Sequence, residues 1–171
     1  MFYKIMSLDN IQLPDIILQG LYSKGLYDLD SHKSGSSEIP ASSIGFLGTN
    51  QKRITILVDC ETAIYLPEEE LSFLMGILTA CKLSMADIAL VNLCKNPGLG
   101  YSVLAEQLKA EKVFLFGLDA AAIELPLQFP HYQVQQFNNQ VYLSSVALNE
   151  LQKDKNEKMK LWACLKKIFS I

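Results

Sequence analysis

The stretch RITILVD, residues 53–59, decides the fold class that we predict for this chain. Its apolar side chains form a continuous run instead of alternating with polar ones, which is typical of a strand covered on both faces. Further runs of this kind occupy Ile88–Asn92 and Lys112–Gly117, and helical patterns separate them. Because alternating strands and helices favour right-handed crossovers and a parallel sheet, we predict a three-layer α/β/α sandwich with a four-stranded parallel sheet over residues 53–171.

The clearest helix is predicted over residues 67–81. Pro67 suits the first helical position, and the three glutamates that follow it suit the positive end of the helix dipole. Leucine and methionine side chains then recur every three or four residues, as on the buried face of a helix. The other predicted elements are short helices at 101–108 and 119–123, a strand at 132–137 that turns at Asn138-Asn139, and a final helix at 156–169.

Two segments precede the predicted domain. Residues 1–29 form an N-terminal arm, with a helix predicted from about Leu13, and residues 30–52 are rich in Ser and Gly and are predicted to be a loop or linker. This linker contains one apolar island, Ile44–Leu47, which we expect to dock on the domain or on a partner.

The N-terminal arm is unusually apolar. Phe2, Tyr3, Ile5 and Leu8 crowd a chain end that precedes the linker. An apolar arm outside a folded core must fold back or bind a partner. These four residues are therefore candidate partner-binding residues, with folding back as the alternative.

Composition limits the classes of function. The net charge of −3 gives no bulk attraction to nucleic acid, although Lys153, Lys155 and Lys158 make the C-terminal region locally basic. We expect those lysines to form either a solvated helix face or a weak contact with DNA or a partner. The four cysteines show no metal-ligand spacing, so no cofactor or metal is expected, and without a signal-like N-terminus or a membrane-length apolar run the expected location is the cytoplasm.

Candidate ligand-binding residues are taken from the carboxyl ends of the predicted strands, because ligands of open α/β sheets bind there. The resulting set is Asp59, Cys60, Glu61, Asn92, Lys95, Gly117 and Ser144.

Little in this set indicates catalysis. A nucleophile needs a nearby base, and neither His32 nor His131 is predicted to lie at the carboxyl end of a strand. Asp59 and Glu61 are the best acid or base candidates, with capping of the following turn or plain solvated acids as the alternative. No glycine-rich phosphate loop is present.

From Arg53 onward the chain resembles the uracil-DNA glycosylase superfamily. The segments that carry the likeness are Leu71–Ser84 with Asp87–Leu93, Asn92–Lys95, Glu111–Ala122, and Leu143–Leu151 with Lys160–Trp162. Asn92-Leu-Cys-Lys95 is similar to the T-N-L-V-K segment of that family, whose Asn helps to read the uracil base. Within the superfamily, the pattern of Ser145–Leu151 followed by a Leu-Trp helix is most similar to the psi subunits of bacterial DNA polymerase III clamp loaders.

Two departures from the glycosylase pattern concern the chemistry. Asp59-Cys-Glu-Thr-Ala63 stands where the enzymes carry a water-activating G-E-x-P-G motif, so Glu61 looks like a remnant without the flanking Pro and Gly. Leu143 replaces the histidine that stabilises the departing base, a loss worth roughly 3–4 kcal/mol by analogy with oxyanion donors. The resemblance therefore implies that the fold is kept and the catalytic motifs are lost.

Three functions stay open on this evidence. The resemblance implies a non-catalytic adaptor between the clamp loader and single-strand-binding proteins, with the N-terminal arm docked on the clamp loader. The second is a diverged glycosylase-type enzyme that uses Glu61 and Asn92. The third is a small-ligand-binding α/β domain, since fold does not fix function.

Overall fold

A six-stranded mixed sheet lies at the centre of the computed structural model, which describes residues 44–171. The strands are β1 (Leu47–Gly48), β2 (Ile54–Val58), β3 (Ile88–Asn92), β4 (Lys112–Phe116), β5 (Gln135–Phe137) and β6 (Gln140–Ser145). The α-helices of the described residues are α1 (Glu68–Ala80), α2 (Tyr101–Gln107), α3 (Leu148–Lys153) and α4 (Lys155–Phe169).

The strands lie in the order β1-β3-β2-β4-β6-β5. The four central strands are mutually parallel, with Ile56 of β2 opposite Leu90 of β3 on one side and Phe114 of β4 on the other. The two edge strands are antiparallel to their neighbours. Since β3 and β4 lie on opposite sides of β2, the order of the chain reverses between β2 and β4, which is the usual ligand-binding point of such sheets.

Both faces of the sheet are covered. Ile56, Leu90 and Phe114 belong to the apolar core beneath α1, α3 and α4. Their neighbours along the strands, such as Leu57 and Val91, belong to a second core that α2 and the following loops cover. Burial on both faces explains why the strands read as continuous apolar runs.

The predicted positions of β2, β3, β4 and of the helices at 67–81, 101–108 and 156–169 are confirmed within one or two residues. The segment at 119–123 contains a 3₁₀ turn, Ala120–Ile123. The turn at Asn138-Asn139 is confirmed too: both residues have positive φ, as the commonest two-residue hairpin turns require.

The predicted four-stranded parallel sheet is wrong in two respects. The strand predicted at 132–137 is the short antiparallel edge strand β5, and the parallel strand is β6, after the hairpin turn. The sequence also predicts a linker up to residue 52, whereas β1 lies within it and pairs with β3. The backbone N–H of Gly45 donates to Asn96 Oδ1 at 3.0 Å, so the apolar island packs on the domain itself.

The predicted arm and most of the linker, residues 1–43, lie outside the described residues. Among the described residues, the helices are too short or too polar to cross a membrane.

Candidate functional site

Asn92, at the carboxyl end of β3, is fully buried and lies at the centre of a hydrogen-bond network. Its Oδ1 accepts from the backbone N–H groups of Cys60 and Cys94, at 3.0 and 3.2 Å. Its Nδ2 donates to the carbonyl of Cys60 at 2.7 Å and to those of Ala63 and Ile64, both at 3.2 Å. The residue thus holds the loop after β2 against the end of β3.

This network leaves the Asn92 amide without a free donor or acceptor for a ligand. A side-chain amide has two N–H donors and two acceptor lone pairs, and backbone groups of the same chain use all of them. The residue that the glycosylase likeness assigns to base reading therefore acts here as an internal clamp.

Asp59 and Cys94 form an exposed pair beside this clamp. The Cys94 thiol donates to Asp59 Oδ1 at 2.7 Å. This hydrogen bond, together with slight burial and the nearby charges of Asp59 and Glu61, raises the pKa of the Cys94 thiol above its ordinary value. Because the thiolate is the reactive form, the pair disfavours nucleophilic chemistry at Cys94.

The other polar residues of this edge contribute less. Lys95 Nζ donates to the backbone carbonyl of Glu61 at 3.2 Å, while the half-buried Cys60 thiol lies 3.4 Å from Thr62 Oγ1. The exposed Glu61 carboxylate makes no hydrogen bond to any residue of the described range 44–171. Five of the seven predicted ligand-binding residues, Asp59, Cys60, Glu61, Asn92 and Lys95, are therefore brought to one edge, mostly by contacts among themselves.

Gly117 and Ser144 lie at the ends of β4 and β6 and complete the predicted set. The Gly117 N–H donates to the carbonyl of Ser145 at 2.9 Å, and the buried Ser144 hydroxyl donates to the carbonyl of Leu118 at 2.8 Å. The Ser144 hydroxyl, like the Asn92 amide, therefore stabilises the fold.

The expectation that neither histidine lies at a strand end is wrong for His131. Its Nδ1 lies 2.8 Å from Ser144 Oγ, near the end of β6. Because the Ser144 hydroxyl gives its only proton to Leu118, its oxygen is the acceptor for an N–H at Nδ1 of His131. The sequence does not predict this contact, because residues 124–131, which lead to His131, form no helix or strand with a periodic pattern.

Two cavities open near these strand ends. One of about 490 Å³ is lined by Asp119, Ala120, Ala121, Gln128, Phe129 and Pro130. Another of about 300 Å³ lies beside Leu93, Asn96 and Glu124. None of the seven predicted residues lines either of these two cavities.

A larger cavity lies on the opposite side of the domain, between two helices, and sequence reasoning missed it. This α1–α4 groove has a volume of about 590 Å³. Its lining is mainly apolar and consists of Glu69, Ser72, Phe73, Gly76, Ile77, Ala80, Gln152, Lys158, Leu161, Trp162 and Leu165.

Trp162 and Gly76 are the signals that could have revealed the groove. Trp162 lies on α4 among apolar residues at helical spacing, yet it is 36% exposed. Gly76 lies in the middle of α1, where it costs about 1 kcal/mol relative to Ala, and a Cβ there would meet nothing within 4 Å. An unfavourable helix residue with open space beside it indicates a surface that is not shaped for stability alone.

The remaining candidates lie elsewhere. Lys153 ends α3, and Lys155 and Lys158 begin α4, all three exposed. Lys158 Nζ lies 5.4 Å from the centroid of the Phe73 ring at the groove. Phe2, Tyr3, Ile5 and Leu8 fall outside the described residues. Within residues 44–171, no group of three or more His, Cys, Asp or Glu side chains is arranged to hold a metal ion.

Comparisons with known proteins found no match: no family model matches this chain, and no curated protein does.

Proposed function

We propose that this protein is a non-catalytic interaction protein, an adaptor of the cytoplasm. The observation that carries the proposal is the buried side chain of Asn92, whose hydrogen-bonding capacity is spent on its own chain. An enzyme that reads a flipped base needs free donors and acceptors at its pocket. The exposed apolar groove on the helical face adds support, because contiguous apolar surface on a folded domain is typical of protein contacts.

The finer proposal is a replication accessory role similar to that of the psi subunit. It is supported by the sequence likeness over residues 53–171 together with the spent Asn92 side chain. The test is a direct titration of the full chain with the purified clamp loader and single-strand-binding protein of the same organism. We expect saturable binding to at least one of them, and binding to neither would overturn the replication role.

A diverged enzyme is the second candidate, and His131 favours it. Its imidazole lies beside Ser144 at the end of β6 and next in the chain to Pro130, which lines the 490 Å³ cavity, so it places near the strand ends an acid–base group that the sequence pattern lacks. The test is the release of uracil from a single-stranded oligonucleotide at micromolar protein, with Glu61→Gln and His131→Ala as controls. We expect no release above background, and release that either substitution abolishes would overturn the adaptor proposal.

A further inference from the structure

The α1–α4 groove has the dimensions of a short helix. Along α1 it runs from Glu69 to Ala80, which is about 16 Å at 1.5 Å per residue. α3 closes one end: Gln152 Nε2 donates to the carbonyl of Glu69 at 3.1 Å, and Lys158 Nζ donates to the carbonyl of Gln152 at 2.8 Å. The result is a trough about three helical turns long, similar to grooves that bind amphipathic helices.

The floor and the rims of the groove suit apolar anchors. Gly76 leaves space in the floor where any other residue would place a side chain. Trp162 lines the groove and is 36% exposed. A partly exposed Trp of this kind is a typical energetic centre of an interface.

The α4 rim is basic. Lys158, Trp162 and Lys166 are spaced four residues apart and so share one face of the helix, with Lys155 one turn before Lys158. These three lysines form no ion pair with any residue in the described part of the chain. Glu157 of the same helix is engaged elsewhere, with its Oε1 2.7 Å from Lys160 Nζ.

From this shape and charge we infer that the α1–α4 groove binds an amphipathic helix of a partner protein, with apolar side chains on the floor and acidic side chains along the α4 rim. The inference rests on the proposed adaptor function and names its partner chemistry. A concave trough between two helices favours a helix over a membrane surface, which would instead meet a protruding apolar face.

The experiment uses Trp162, which is the only tryptophan in the chain, as the reporter of occupancy. The full chain is titrated with a synthetic peptide of about 18 residues, long enough to form a helix in water. The peptide has Leu at i, i+3, i+4 and i+7 and Glu on one flank. Its controls are a scrambled peptide of the same composition and a peptide with Lys in place of Glu.

We expect a saturable blue shift of the Trp162 emission with the acidic helix and at least tenfold weaker binding of both control peptides. Gly76→Leu, which fills the floor with a good helix former, should weaken binding about tenfold. Ala163→Leu, at an exposed position of α4 outside the groove lining, should leave it unchanged. Lys166→Glu should weaken binding about threefold more than Lys167→Glu, because the second side chain lies on the far side of α4.

Several outcomes would overturn the inference. They are the absence of a shift, equal binding of the basic or scrambled peptide, a shift caused by anionic lipid vesicles at least as large as that with peptide, and a shift that depends on protein concentration alone, which would make a second copy the occupant. If Gly76→Leu leaves binding to the clamp loader or single-strand-binding protein intact, the groove is not the partner-binding site, while the adaptor function stands. Release of uracil would instead remove the adaptor function itself.

Discussion

The carboxyl ends of β2 and β3 differ from the α1–α4 groove in how completely their side chains are engaged in contacts within the chain. At the strand ends, the polar groups of Asn92 bond to five backbone groups of the same chain. In the groove, Trp162 keeps about a third of its surface exposed. The carboxyl ends of parallel strands are the usual place for a ligand, but it is the second region that residues 44–171 leave partly uncovered.

This difference shows that the location of a site in a fold has to be tested against hydrogen-bond capacity. A polar residue at a strand end functions as a binding group only if its donors and acceptors are free. Burial of a satisfied amide stabilises the fold, whereas exposed apolar surface costs free energy in water until something covers it.

The largest effect is expected from removing the clamp. Asn92→Ala would leave the part-buried N–H of Cys60 and the part-buried carbonyls of Cys60 and Ala63 without their partner, and an unsatisfied group of this kind costs about 1–3 kcal/mol when it is fully buried. We expect the free energy of unfolding to fall by about 3 kcal/mol, measured by urea denaturation. Asn156→Ala, at an exposed position of α4, is the control and should change it by less than about 0.5 kcal/mol. If Asn92→Ala left the free energy of unfolding unchanged, the hydrogen bonds of Asn92 would not be what holds this edge of the sheet together.

Two glycines, one at the strand ends and one in the groove, should respond in opposite directions. Gly117 has φ of +68°, and a Cβ there would lie 2.9 Å from Ala147 Cβ, so Gly117→Ala should destabilise by about 2 kcal/mol.

Gly76→Ala should instead stabilise by about 1 kcal/mol, because a Cβ meets no atom within 4 Å and Ala favours the helix. Thermal denaturation of both variants checks the pair. A loss of stability in Gly76→Ala would show that the floor of the groove is less open than described.

A smaller effect is expected in the reactivity of Cys94. The Asp59 carboxylate accepts a hydrogen bond from the thiol and repels the thiolate, so it raises the pKa of Cys94 and lowers the thiolate fraction. Asp59→Asn removes that charge, and the pKa should fall toward its ordinary value. Alkylation of Cys94 at about pH 8 should then become several-fold faster by peptide mass spectrometry.

Asp119→Asn, which removes a carboxylate at the end of β4, is the control for this measurement and should leave the rate unchanged. An Asp59→Asn variant that reacts no faster would contradict the assignment of the pKa shift to Asp59.

The sequence predicts the central strands because their apolar runs are local signals of burial on both faces. It does not predict that β5 and β6 exchange roles at 132–145, since a short edge strand and a buried strand differ only in what covers them. Residues 44–52 look like linker because β1 is held by a two-residue pairing and by side-chain contacts to distant residues such as Asn96.

In the candidate site, too, some features are predictable from the sequence and others are not. The placement of Asp59, Cys60 and Asn92 at one edge is predictable, because parallel strands end together. The use of the Asn92 amide, the approach of His131 to Ser144 and the groove beside Trp162 all depend on tertiary contacts over long sequence separations.

The most direct test of the central claim is hydrogen–deuterium exchange of the full chain with and without the acidic amphipathic peptide. We predict new protection in α1 and α4, at the residues that line the groove, with unchanged exchange in residues 59–64 and 92–95. New protection at those strand ends, with none in α1 and α4, would contradict the account.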